Sequence, residues 1–119
     1  MISQCPPCIF GYGRRSDETG TRQELTEAVQ QERVEMWFRH AREAKAIAAE
    51  TIYGGWFFDS ITSGVNWLER PQAQEILRRA RPGDKLVFAK LDRVARDQLD
   101  WCTSYKVFHE AGVGLVCCD

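Results

Sequence analysis

The sequence lacks the features that mark several common functions. No apolar run approaches the roughly 20 residues that cross a bilayer, and residues 1–10 have neither the charged start nor the long apolar centre of a secretory signal. A soluble, cytoplasmic protein with no membrane partner is therefore expected. The chain has two histidines, His40 and His109, and neither stands in a His-X-X-X-His or Glu-X-X-His spacing, which argues against a histidine metal site. A Gly-X-Gly-X-X-Gly nucleotide loop is missing, as are internal repeats and low-complexity tracts. Excess positive charge is missing too: 16 Lys and Arg stand against 17 Asp and Glu, a formal net charge of −1. Affinity for duplex DNA rests largely on cations that neutralise phosphates, so this balance argues against a free-standing DNA binder. A local group of arginines can still hold one phosphate.

Cysteine is present but in an odd number, at positions 5, 8, 102, 117 and 118. Without a secretory signal this favours free thiols over disulfides. Cys5-Pro6-Pro7-Cys8 has redox spacing, but such motifs follow a strand and open a helix, whereas this one precedes the apolar stretch Ile9-Phe10-Gly11-Tyr12. A zinc site completed by Cys117 and Cys118 would need two pairs at opposite ends of parallel strands to converge.

What is there is enough for one domain: 119 residues, 44% hydrophobic and 28% charged, ordinary globular values. Residues 8–12 read as a strand, with Gly11 and Gly13 letting neighbouring backbone come close. A polar loop over 17–24 follows, and Thr21 or Thr26 is placed to cap a long helix over 24–50, a stretch free of Gly and Pro. Leu25, Val29, Met36, Trp37, Ala44 and Ile47 make its expected core stripe. Gly54-Gly55 breaks the pattern before a strand over 56–58 that ends at Asp59. The loop over 60–71 is polar, and a short amphipathic helix covers 72–80 after Pro71. Arg81-Pro82-Gly83-Asp84 is a turn, 85–89 a buried strand, 97–111 a helix with Leu99, Cys102, Val107 and Phe108 inward, and 113–118 a last strand. This alternation predicts an α/β fold: a mostly parallel four- to five-stranded sheet with helices on both faces and right-handed crossovers.

Three strand ends then carry polar groups that would meet along one edge of the sheet, where open α/β sheets place their sites. They are Arg14 with Ser16, Asp59 leading to Arg70, and Asp92 with Arg93 and Arg96. Arg93 and Arg96, three apart, share one side of a helical turn. Guanidinium groups grip tetrahedral anions by paired, charge-assisted hydrogen bonds, although a surface ion-pair network would use the same residues. Four arginines around a serine, without a histidine relay or metal ligands, suit transfer of a phosphoryl group to the hydroxyl better than ester hydrolysis.

Taken together, four stretches resemble the catalytic domain of the serine recombinases, the resolvase/invertase family that includes large serine integrases. They are Tyr12-Gly13-Arg14-Arg15-Ser16, like the family's Tyr-X-Arg-X-Ser; Asp59-Ser60-Ile61-Thr62-Ser63-Gly64 through Arg70-Pro71; Arg81-Pro82-Gly83-Asp84; and Leu91-Asp92-Arg93-Val94-Ala95-Arg96. Gly112-Val113 also fits, and the resemblance covers nearly the whole chain. It implies a resolvase-like fold and a single catalytic domain over 1–119 that works in site-specific DNA recombination without cofactor or metal. Ser16 would be the nucleophile, giving a 5′-phosphoserine link and a free 3′-hydroxyl. Arg14, Arg70, Arg93 and Arg96 would hold the scissile phosphate, with Ser63 and Asp92 as further site residues. Asp92 would either move a proton or orient Arg93 and Arg96.

The chain departs from the family pattern at Asp17, which stands where Thr often follows the nucleophile. The loop over 17–23 also looks longer than in small resolvases, and Gln30 is set against the family's helix glutamine. The family's long dimerisation helix and DNA-binding domain would lie beyond Asp119, so DNA and a homodimer or tetramer are partners expected of the full-length protein. Residues 1–119 alone would fold but bind DNA weakly and fail to recombine it. Two other readings remain: a non-catalytic or regulatory module of the same fold, and a generic phosphate-binding domain.

Overall fold

A central strand, β1 (Cys8–Arg14), is flanked on both sides by parallel partners in a computed structural model that describes residues 6–15, 26–60, 65–90, 95 and 97–118. The other elements are α1 (Glu27–Glu43), β2 (Ile52–Asp59), a 3₁₀ turn (Trp67–Glu69), α2 (Pro71–Arg79), β3 (Lys85–Phe88), α3 (Gln98–Glu110) and β4 (Gly114–Cys117). Among the described residues the sheet is four-stranded, in the order β2-β1-β3-β4, with every pairing parallel. The chain leaves β1 towards β2 and leaves β3 towards β4. The direction of winding thus reverses between β1 and β3, and a crevice is expected there at the carboxyl ends of the strands.

Reversal of winding also sends the helices to opposite faces, as right-handed crossovers require. Ile9, Val34 and Val87 form one cluster with Trp37 and Phe38, on the α1 side. Phe10, Tyr12, Phe57, Leu86, Phe88 and Val113 form the other, with Ala73 and Ile76 of α2 and Phe108 of α3. Neighbours along β1 alternate between the two, as the two-residue period of a strand demands. Trp67 is the hub of the larger cluster: it is fully buried, with ring contacts to Tyr12, Phe88, Trp101 and Phe108.

Several local expectations are corrected. The long helix ends at Glu43, not near residue 50, although nothing in its composition forbids continuation. A Schellman closure stops it: the amide of Lys45 donates to Arg42 O and that of Ala46 to Ala41 O, with Lys45 at φ 62° where glycine is usual. Its core face is also different. Gln30, Val34 and Ala41 are buried while Val29 and Met36 are exposed; a polar residue holds an inward position, so the apolar stripe was a poor guide. On α3, Asp100, Ser104 and Phe108 are buried at i, i+4, i+8, whereas Leu99 is 75% exposed and Cys102 is exposed. Strand β2 begins at Ile52, because Gly54-Gly55 does not end it but sits in a bulge: the register jumps from Ile9↔Tyr53 to Phe10↔Gly55, with Gly55 at φ 118°.

Other expectations hold. Thr26 caps α1, its hydroxyl accepting from Val29 N at 3.2 Å. The turn before β3 closes through Asp84, whose carboxylate accepts from Arg81 N at 2.9 Å and from Cys8 N at 3.0 Å, tying the turn to the start of β1. Cys8 opens β1 and Cys117 closes β4, at opposite ends of a parallel sheet. Burial, and next the Asp84 carboxylate, push the Cys8 thiol above its ordinary range, which lowers its thiolate fraction and its value as a redox nucleophile.

Candidate active site

The carboxyl end of β1 carries the residues singled out in the sequence. Arg14 is the last residue of the strand, and the amide of Arg15 still donates to Asp59 O at 3.0 Å, so sheet pairing persists to the residue before Ser16. Ser16, Ser63, Asp92, Arg93 and Arg96 lie outside the described residues.

Arg14 is fixed through its backbone from the helix side. The Gln30 side chain accepts from Arg14 N at 3.2 Å and donates to Arg14 O at 3.1 Å, so one buried amide satisfies both main-chain groups. The approach depends on Gly13: a Cβ there would lie 2.7 Å from Gln30 Oε1 and 2.6 Å from the Trp56 ring. Room was expected at Gly13 for neighbouring backbone, but the groups that occupy it are side chains. Without a paired amide the Arg14 peptide groups would be stranded under α1, at about 1–3 kcal/mol each.

Arg70 comes to the same end of the sheet from the opposite face. It is 1% exposed, and its Nη1 donates to Tyr12 Oη at 3.3 Å while Nε and Nη2 donate to Val65 O at 3.3 and 3.2 Å. Tyr12 in turn donates to Asp59 Oδ2 at 2.7 Å. The other Asp59 oxygen accepts from Gln72 N at 3.0 Å, capping α2, which has no side-chain cap from its own N-cap residue. Asp59 therefore ties together the end of β2, the middle of the sheet and the first turn of α2. Tyr12 and Arg14 share a face of β1, two residues or roughly 6.5 Å apart along the strand, so Arg70 is placed beside the strand end that bears Arg14.

Electrostatically, Arg70 is a desolvated cation whose described hydrogen-bond partners are neutral oxygens. Among the described residues it makes no ion pair within 4.0 Å. Three of its five N–H groups meet acceptors among the described residues. An anion that meets such a group in a poorly hydrated site is held more strongly than at an exposed arginine. A cavity of about 230 Å³ lies between the 3₁₀ turn and α3, lined by Glu69, Asp97 and Asp100 among others.

The family model described as "Resolvase, N terminal domain" matches residues 9–119. The chain belongs to that family, the catalytic domain of the serine recombinases. No curated protein matches it. DNA recombination is thus the chemistry of its family, and the α/β sheet of parallel strands agrees with the resolvase fold.

In this resolvase domain, the sequence singles out Arg14 and Arg70 but not the groups that hold them. Tyr12 read as a strand residue, yet its hydroxyl links Arg70 to Asp59. Gln30 was noted by alignment alone. A signal existed: Gln30, Val34 and Ala41 follow helical spacing, so the polar member belongs to the buried face.

Burial, foremost, with the Asp59 carboxylate adding to it and Arg70 opposing, drives the Tyr12 phenol far above its ordinary value near 10. Burial, and then Glu35, do the same to Tyr53. Both rings stay protonated in the folded protein where the unfolded chain ionises. The folded state then holds more protons, so stability is complete below pH 10 and falls as pH rises beyond it. Urea unfolding between pH 8 and 11 should show this decline. In Tyr12→Phe the alkaline slope should shrink by about 1.4 kcal/mol per pH unit, while stability at pH 7 drops by about 1–3 kcal/mol because Asp59 and Arg70 each lose a buried partner. An unchanged alkaline slope would mean that the Tyr12 hydroxyl is not shielded.

Proposed function

We propose that this domain catalyses site-specific DNA strand transfer through Ser16. The Ser16 hydroxyl oxygen attacks the scissile phosphorus and a P–Oγ bond forms. The bond from phosphorus to the 3′ oxygen breaks, leaving a 5′-phosphoserine link. The serine proton leaves and the departing 3′ oxygen gains one, so the step consumes no water. Because the phosphodiester is exchanged and not hydrolysed, the reverse attack by a 3′-hydroxyl reseals the strand without ATP. Arg14, Arg70, Arg93 and Arg96 bind the phosphate with Ser63, and their charge stabilises the crowded transition state in place of a metal. Asp92 moves a proton or orients its neighbouring arginines.

The observation that carries this reading is the placement of Arg70: a buried guanidinium, braced by Tyr12 and Val65 O, beside the strand that bears Arg14 and leads to Ser16. In the same proposal residues 1–119 are one catalytic domain, and a dimerisation helix and DNA-binding domain follow Asp119 in the complete protein. That protein works in the cytoplasm as a dimer or tetramer on DNA. Residues 1–119 alone bind DNA weakly and do not complete recombination, since a chain of net charge −1 releases few counterions.

The test is trapping on a nicked duplex site in excess chelator with the complete protein. A protein–DNA adduct on the 5′ side of the break should form at the same rate with and without chelator. Adduct formation that stops in chelator and returns with magnesium would contradict the arginine-only mechanism.

A further inference from the structure

We propose that Asp100 is a positioning residue for Arg70, joining the arginine-bearing segment before α2 to the helix that follows Arg93 and Arg96. The inference rests on the strand-transfer reading above and adds a residue that lies outside the arginine set.

The 3₁₀ turn Trp67–Glu69 begins without a cap of its own: Asn66 makes no side-chain cap hydrogen bond. The need is met from across the fold. The Asp100 carboxylate, in a residue only 5% exposed, accepts from Trp67 N with both oxygens at 3.1 Å, and Ser104 Oγ donates to it at 3.4 Å. Asp100 stands at the third helical position of α3. In a capping box the residue at this third helical position reaches back to the N-cap amide. Here Asp97 already caps the helix, accepting from Asp100 N at 2.8 Å, and the Asp100 carboxylate points to the neighbouring segment.

Fixing Trp67 N fixes Arg70 in three ways. The Trp67 carbonyl accepts from Arg70 N at 3.1 Å, closing the turn in front of α2. The Val65 carbonyl that braces the guanidinium lies two residues before the anchored amide. The Trp67 ring packs on Tyr12, the third partner of Arg70. A single buried carboxylate therefore restrains the segment whose described groups orient this cation. In the sequence Asp97, the N-cap of α3, directly follows Arg96.

The experiment is a double-mutant cycle in the complete protein, reading the rate of adduct formation on nicked DNA and, separately, DNA affinity. Asp100→Ala should slow adduct formation by about tenfold or more, as expected of a displaced catalytic group, with DNA affinity unchanged. Asp100→Asn keeps an acceptor for Trp67 N and should recover most of the rate. In an Arg70→Ala background, Asp100→Ala should cost nothing further. An equal slowing in both backgrounds, or a wild-type rate in Asp100→Ala, would overturn the proposal. If Asp100→Ala does not fold, Asp100→Asn against Asp100→Leu in the same two backgrounds carries the test. Hydrogen exchange at the Trp67 amide separates this inference from the function it rests on. Lost protection in Asp100→Ala and kept protection in Asp100→Asn are expected even if no adduct forms at all; unchanged protection in Asp100→Ala sinks the anchor. An unsubstituted protein that forms no adduct sinks the strand-transfer reading instead.

Discussion

Replacing Ser16 with alanine should abolish covalent attachment of the complete protein to DNA while leaving its affinity for the site nearly unchanged. The hydroxyl supplies the atom that bonds to phosphorus, and the Arg14-Arg15-Ser16-Asp17 sequence offers no other hydroxyl. Docking depends on the arginines and on the rest of the protein, which the substitution leaves alone. Removing the nucleophile of a covalent mechanism commonly costs on the order of 10⁶-fold, so any adduct should fall below detection. Gel separation of protein–DNA adducts, paired with a binding titration at fixed salt, checks both halves. An adduct that persists in Ser16→Ala would remove Ser16 from the reaction.

Arg70→Lys should lose at least about 100-fold in cleavage rate even though the charge is kept. The arginine is held as a fork: Nε and Nη2 converge on Val65 O while Nη1 reaches Tyr12 Oη. A lysine ammonium is a single centre and cannot reproduce the planar fork that meets both oxygens. It would also strand part of the buried polar chain through Tyr12 and Asp59, so some stability should be lost as well. Measuring unfolding beside cleavage separates the two effects. A cleavage loss far beyond the fraction unfolded marks a role in the reaction, whereas activity that only follows the folded fraction would leave Arg70 as a brace for Tyr12 and the Val65 turn.

The elements were legible where local chemistry determined them. Pro71 at the start of α2, Thr26 at the cap of α1 and the turn at Pro82-Gly83 each state a backbone requirement in the residues themselves. The parallel sheet with helices on both faces was legible from the alternation of strands and helices, because a parallel pair needs a crossover and crossovers have one hand, whereas the order β2-β1-β3-β4 was not. What the sequence hid were polar residues that serve a distant partner. Gln30 and Asp100 are inward-facing positions that a reading of apolar residues passes over; each is buried where it satisfies a backbone amide of another segment, Arg14 in one case and Trp67 in the other. Such pairings span 16 and 33 residues, so even where helical spacing marks the buried face, the distant partner is not readable locally. The end of α1 was hidden for a related reason, since Lys45 takes the left-handed conformation that a glycine would have announced. On the candidate site, Arg14 is readable as a strand-end cation and Arg70 as the arginine before Pro71, but the Tyr-X-Arg-X-Ser motif that contains Tyr12 does not say that its hydroxyl meets Arg70.

The most direct measurement is to identify the residue that carries the DNA. The trapped adduct from the complete protein is digested with protease and nuclease, and the modified peptide is sequenced by mass spectrometry. The account predicts a nucleotide attached through its 5′-phosphate to Ser16, in the peptide that follows Arg15. A nucleotide on any other side chain, or an attachment through a 3′-phosphate, would contradict it.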